Sequence, residues 1–417
     1  MANIDSQALS TLVLAVLSSA ALALSVFCTI QLASYRGGYV PTGRRSMYPH
    51  AGRGQALVED LRRGHHARIL NLTRLSKDAF EELLLWLLSN TDLKDAPPWQ
   101  QLIGGLTASE KLYIFLYICG TGASFRNTAE WTQHSTKTIN RAFYDTLNAL
   151  LKLHKNVVQL PPEETPEEIE QDDKRWPYFC DCLGALDGSY IPVFVNGKAK
   201  ERPWRNRKGW LSQNILAVVD FKMNFLYVRA GWEGSAHDAT VLADALDHGS
   251  FRVPSGRYYL ADAGYGSKSH VVLVPYQKTR YHLKEWAKST QKPQTPRELF
   301  NLRHASLRNV VERVFGVLKS RFVILQRPPK QYPISTQVKL VYALIAIHNF
   351  LNKFGHIHAE EEANELGGMD FNDDGVHQDE PEPYIADIRT LDTRRDDIAQ
   401  LMWEDYQREL RQRNIIE

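Results

Sequence analysis

The chain has 417 residues, of which 43% are hydrophobic and 24% charged. These proportions exclude a wholly disordered, collagenous or coiled-coil protein, and the length predicts two or three domains. Four cysteines exclude a disulfide scaffold and fit a reducing compartment, while the net charge of +2 conceals an uneven distribution.

No charged residue occurs from Ser6 to Tyr35, and Arg36 follows at once. The run is long enough to cross a bilayer. Residues 1–35 are therefore expected to form an apolar helix, either a membrane span or anchor or a helix buried against the protein. Residues 36–75 are rich in Arg, Gly, His and Pro and are expected to form an extended basic arm or linker. Such an arm either lies along phosphates or is simply solvated.

From residue 76 to 160 the apolar spacing becomes helical. KDAFEELLLWLL is one helix and LTASEKLYIFLYICG another, with Thr107 and Glu110 spaced as a capping box. FRNTAEWTQHSTKTINRAFYDTLNALLKL predicts a short helix, a turn at His134 and Ser135, and a longer helix. This is the order of a helix-turn-helix, with Lys137, Asn140 and Arg141 where base contacts are made. The same pattern serves two helices that only pack a core.

The Pro- and charge-rich segment LPPEETPEEIEQDDKRWP marks a domain boundary, and the periodicity changes after it. CLGALDGSYIPVFV, QNILAVVDF, FLYVRAGW and GRYYLADAGYG predict strands. DFKMN is a turn between the second and third, and SAHDATVLADALDHG is a helix before the fourth. Over residues 175–355 this gives an α/β domain, closed by an amphipathic helix and a mostly apolar one. In the amphipathic helix Leu307, Val310, Val311, Val314, Val317 and Leu318 form the apolar stripe. In the apolar one His348 is expected to be a satisfied core histidine. Residues 356–385 hold a run of ten acidic residues without Lys or Arg, expected to be a disordered linker. Setting those ten aside leaves about +12 on the rest, a sign that favours polyanionic partners. A charged helix over residues 386–417 closes the chain.

Asp187 lies inside the first apolar strand, where an unpaired charge is expensive. Asp262 ends the fourth strand, and Glu312 sits beside the stripe of the amphipathic helix. Adjacent parallel strands would bring the two aspartates together, and the helix would deliver the glutamate. Oxygen-only ligation favours Mg²⁺ or Mn²⁺, in a two-ion arrangement suited to displacement at phosphorus. Asp238 is either a helix N-cap or a metal ligand, alone or with His237. The loop after the first strand carries Lys198, Lys200, Arg202, Arg205, Arg207 and Lys208, interleaved with Trp204. It is either a phosphate clamp with a stacking ring or a solvated hairpin.

GALDGSYIPV, RNRKGWLSQNILAVVDF, GWEGSAHDATVL, YYLADAGYG and RHASLRNVVERVFGVLKSRF follow one another in an order that resembles the PIF/Harbinger superfamily of transposases and transposase-derived nucleases. The resemblance implies an RNase H-like catalytic domain, a mixed sheet with flanking helices. An all-α domain containing the helix-turn-helix would precede it. It implies Asp187, Asp262 and Glu312 as the catalytic triad and Asp238 as a further ligand of the divalent metal. It also implies metal-dependent cleavage of DNA, strand transfer, nuclear work, a Myb-like accessory partner and a homo-oligomer. A domesticated DNA-binding or scaffolding protein that no longer cuts is the alternative. The 50 residues separating Asp262 from Glu312 exceed the gap in many relatives, and residues 278–296 are expected to be an insertion.

Overall fold

The computed structural model describes residues 53–101, 105–266, 270–280, 292–327, 332–355 and 389–412, with the single positions Ser18, Ala21 and Ser25. Two compact units divide the chain, Met1–Pro49 and His50–Glu417. In the first, Ser18, Ala21 and Ser25 are helical. The expectations for the rest of residues 1–52, for residues 281–291 of the insertion and for the acidic linker lie outside the described residues.

The second unit is built around a five-stranded mixed sheet in the order β3-β2-β1-β4-β5. β1 is Cys182–Pro192, β2 Ser212–Val219, β3 Phe225–Glu233, β4 Tyr258–Leu260 and β5 Val272–Leu273. β1 to β3 form an antiparallel meander, while β4 and β5 add parallel to β1. Every residue of β2 is buried, as a central strand covered on both faces requires. The turn at DFKMN forms as its sequence predicts. Asp220 Oδ1 accepts from the Asn224 amide at 2.7 Å, and Met223 takes the left-handed conformation. β5 is invisible in the sequence because two residues carry no periodicity.

One face of the sheet is covered by α7, Asp238–Asp247, whose Val241, Leu242 and Ala245 pack on Leu186, Leu216 and Val218. The other face receives α8, Pro296–Arg321, and α9, Ile334–Lys353. α8 starts seven residues before the predicted stretch, because Thr295 caps it and Pro296 occupies its first turn. All six residues of its predicted apolar stripe are buried. His304 and Asn301 dock it on the β5 end through the Leu273 carbonyl and the Tyr276 backbone. α9 passes the length and hydropathy test for a membrane span, yet 72% of its apolar window is buried inside the protein, as a core helix is. Its Asn349 spans the Phe225 backbone, and His348 bonds the Met223 carbonyl at 2.8 Å. The second ring nitrogen of His348 faces Arg321 at 3.2 Å, so this histidine is a satisfied core residue as expected. α10, Arg389–Gln412, runs against α8 and the β5 edge. Asp396 and Asp405 accept from the Tyr276 and Tyr178 hydroxyls at 2.5 and 2.8 Å. A covered edge strand offers no template for pairing with another chain.

Burial pushes His304 and His348 down to about 3 from 6.5, so both are neutral in the folded chain. An unfolded chain protonates them as pH falls through 6.5. Their contribution to stability is therefore complete above 6.5 and lost progressively toward 3. Each histidine should cost about 1.4 kcal/mol per pH unit within that window. Urea denaturation at pH 7.5 and pH 5 should show the loss, and His348→Gln should make it smaller. An equal loss in the variant would contradict the assignment.

Among the described residues, six helices of eight residues or more precede the sheet: α1 Arg53–Arg63, α2 His66–Thr73, α3 Lys77–Asn90, α4 Ala108–Thr121, α5 Phe125–Thr132 and α6 Thr136–Val157. α1 and α2 correct the extended-arm expectation from Arg53 onward. Val58, Leu61 and Ile69 are buried there, and Arg62 forks onto Glu81 at 2.6 and 2.7 Å. The density of Arg and His in the sequence hid that apolar face. Thr107 caps α4 as expected, but Glu110 turns away and pairs with buried His134 at 2.7 Å. α5 and α6 are joined by a three-residue turn with Gln133 left-handed. α6 lies against α9. Tyr144 and His154 reach Thr336 and the Tyr342 carbonyl at 3.2 and 3.0 Å.

Candidate active site

The parallel pairing of β1 with β4 sets Ala185 opposite Leu260. Asp187 stands two positions further along β1, and Asp262 two positions past the last residue of β4, so the pairing brings the two acids out side by side. Asp262 then caps a 3-10 turn, accepting from the Ala263 amide at 2.7 Å. Asp187 Oδ1 accepts from the Gly188 amide at 2.8 Å.

Asp238 opens α7, where His237 rather than Asp238 holds the N-cap position. Its carboxylate accepts from Asn214 Nδ2 at 2.6 Å and rests directly on Gly188. A Cβ at position 188 would stand 2.4 Å from Asp238 Oδ1. The glycine after Asp187 is thus required for space, and it lets the α7 acid approach the strand acid. Gly188→Ala should push Asp238 off Asn214. A crystal structure of the variant, beside its denaturation midpoint, checks this; Asp238 still within hydrogen-bond reach of Asn214 would contradict it.

Glu312 faces outward from α8 with 54% of its side chain exposed, and Arg308 one turn earlier is nearly covered at 9%. Arg308 Nη1 donates to Asp187 Oδ2 at 2.6 Å while Nη2 donates to Glu312 Oε1. Burial pushes the Asp187 carboxyl up to about 7; Arg308 draws it down, and the charges of Asp262, Asp238 and Glu312 add to the rise. Asp262, Asp238 and Glu312 therefore all stand near enough to act on Asp187. The buried Tyr265 hydroxyl is also held well above its usual range, first by burial and then by Asp238, Asp187 and Asp262.

The donor set is entirely carboxylate oxygen, the chemistry that suits Mg²⁺ or Mn²⁺. A guanidinium already stands between two of the acids, so the place attracts cations. Among the described residues no three His, Cys, Asp or Glu side chains are arranged to hold a metal ion as they stand.

The basic loop runs through two 3-10 turns, Lys198–Lys200 and Arg202–Trp204. Lys198, Lys200, Arg202, Arg205, Arg207 and Lys208 are all exposed. Arg207 reaches His237 Nδ1 at 2.8 Å, beside Asp238, and Pro203 accepts from the Ser235 amide at 3.0 Å. The loop is therefore seated next to the acids. Trp204 is half-buried, whereas Trp210 is exposed and meets Tyr190 edge-on. Lys137, Asn140 and Arg141 are exposed on the first turns of α6. Lys137 and Arg141 border a cleft of about 690 Å³ that contains none of the four acids. Asp92, Asp95 and Asp145 share its rim, so the field there is mixed.

Sequence reasoning misses Arg308, Asn214 and Gly188. Arg308 carries a signal: an arginine within an inward stripe needs an anion, and Glu312 follows four residues later. Asn214 carries another, as a polar residue in a strand that otherwise reads as core.

Residues 186–349, which hold all four acids, match the family model described as DDE superfamily endonuclease. Over that stretch, from β1 to α9, the chain is similar to DDE superfamily endonucleases. Residues 50–152, the helical region before it, match a domain of unknown function. HARBI1 of Homo sapiens, whose name marks it as a candidate nuclease, is 23% identical over 225 residues, covering 53% of this chain and 60% of that protein. HARBI1 of Bos taurus is also 23% identical, over 227 residues, with the same coverage. The ALP1-like protein of Arabidopsis thaliana is 22% identical over 262 residues, 59% of this chain and 61% of its own length. The chain thus spans about three fifths of the curated relatives it matches. The kinship with Harbinger-derived nucleases read from the motifs holds, at low identity. No solved structure matches the chain.

Proposed function

We propose that the protein is a divalent-metal-dependent DNA endonuclease of the PIF/Harbinger type, with an RNase H-like catalytic domain. The observation that carries this is the parallel pairing of β1 with β4, which sets Asp187 of β1 beside Asp262 just past β4, with Asp262, Asp238 and Glu312 all close enough to shift the Asp187 carboxyl. The names of the HARBI1 relatives support the same class of reaction.

Asp187 and Asp262 would hold the metal, Mg²⁺ or Mn²⁺, with Glu312 and Asp238 completing the set. A bound divalent cation supplies stabilisation of the charge that develops at phosphorus. The chain's own residues do the rest. Asn214 and Gly188 fix Asp238. The six basic residues of the loop carry the duplex phosphates past the acids, and Trp210 offers a face to a base. Lys137, Asn140 and Arg141 on α6 would make the helix-turn-helix contacts with DNA. For cleavage, water would attack the scissile phosphorus and displace the 3′-oxygen, leaving a 3′-hydroxyl and a 5′-phosphate; for strand transfer, a DNA 3′-hydroxyl would attack a phosphorus of the target strand and displace its 3′-oxygen in the same way. Nuclear location, a Myb-like accessory partner and self-association belong to the same proposal.

Incubation of an end-labelled duplex with the purified chain and Mg²⁺, Mn²⁺ or EDTA tests it. Nicks should appear with either metal and vanish with EDTA. DNA binding without cleavage under all three conditions would instead favour the non-cleaving DNA-binding reading.

A further inference from the structure

Arg308 sits on the inward side of α8, between Leu307 and Val311, both buried. A guanidinium at that depth persists only with anionic partners. Two of its partners stand on different elements: Asp187 of β1 and Glu312 of α8. Both oxygens of Asp187 are engaged, Oδ1 by the Gly188 amide at 2.8 Å and Oδ2 by Arg308 at 2.6 Å. An ion entering the site therefore meets the Arg308 charge at Asp187 Oδ2 and Glu312 Oε1, two of the oxygens it would use. Glu312 is exposed enough to turn, whereas Asp187 is fixed in the strand.

We propose that Arg308 is a positioning residue acting as an internal counter-cation. It holds Asp187 and Glu312 together before metal loading and competes with the divalent cation for both. The inference rests on the metal-dependent reading above. It explains how the acids that act on Asp187 stay folded together. Four carboxylates without Arg308 would repel one another, and loading an ion would relieve that repulsion more strongly. Removing the guanidinium should therefore weaken the unloaded protein and tighten the metal.

Mn²⁺ titration of the full chain, followed by the electron paramagnetic resonance signal of free Mn²⁺, tests this in wild type, Arg308→Met and Arg308→Lys. Melting points in EDTA and in Mn²⁺ are taken alongside. Arg308→Met should bind Mn²⁺ about tenfold more tightly than wild type. It should melt below wild type in EDTA and close that gap in Mn²⁺. Arg308→Lys keeps the charge but lacks the planar fork that spans two carboxylates, so its affinity should fall between. Equal or weaker Mn²⁺ binding by Arg308→Met, with a lower melting point in both conditions, would show a merely structural bridge and overturn the inference. Should Arg308→Met not fold, Arg308→Lys decides alone: tighter Mn²⁺ binding than wild type supports the competition, and equal or weaker binding ends it. Failure of the wild-type chain to bind Mn²⁺ at all is a separate result, and it overturns the metal-dependent reading itself.

Discussion

Asp187→Asn is expected to lower Mn²⁺-dependent strand cleavage about a thousandfold, the scale set by removing one centrally placed electrostatic group from a site. The substitution is nearly isosteric, so the Gly188 amide keeps an oxygen to donate to. What disappears is the ionisable carboxylate at the centre of the set, the point where Arg308, Asp262, Asp238 and Glu312 all exert their influence. The variant should still fold, since β1 is held by its register with β2 and β4; its urea midpoint should fall because Arg308 loses an anionic partner, and a single cooperative transition is the control. Cleavage at the wild-type rate in a folded Asp187→Asn protein would remove the acid from the chemistry.

Phe143→Ala should be the most damaging single change away from the acids. Phe143 is fully buried on α6. Its ring stacks on Tyr332 at 5.0 Å and meets Phe115 and Phe125 at 5.1 and 5.4 Å. Tyr332 stands two residues before α9, so this cluster ties the helical region to the helices that cover the sheet. Truncation removes the transfer energy of a ring and leaves a cavity, about 3–5 kcal/mol together. Denaturation of wild type should be a single transition, because residues 50–417 form one compact unit. A loss below about 1 kcal/mol in Phe143→Ala would place the coupling elsewhere.

The strands that carry long apolar or alternating runs are legible in the sequence. β1 to β3, the Asp220–Asn224 turn, α7 and the stripe of α8 fall where the spacing puts them. Period and punctuation are local properties, so the sequence alone displays them. β5 is not legible, being two residues long, and α1 and α2 are hidden by their Arg and His content. The three acids of the candidate triad can be named from strand ends and a helix. That Asp187 and Asp262 stand side by side depends on parallel pairing across more than seventy residues, which no window reveals. Trp204 is the ring that the basic run offers for stacking, yet Trp210 is the more exposed of the two, because only the folded loop decides which side chain turns outward. Arg308 escapes notice for a different reason: a search for acids does not weigh the cation that binds them.

Crystals grown with Mn²⁺ and measured at a wavelength where manganese scatters anomalously test the central claim most directly. Anomalous peaks should lie within about 2.5 Å of carboxylate oxygens of both Asp187 and Asp262, the usual range for oxygen ligands of hard divalent ions. Manganese bound elsewhere, in a protein that still cuts DNA, would contradict the account.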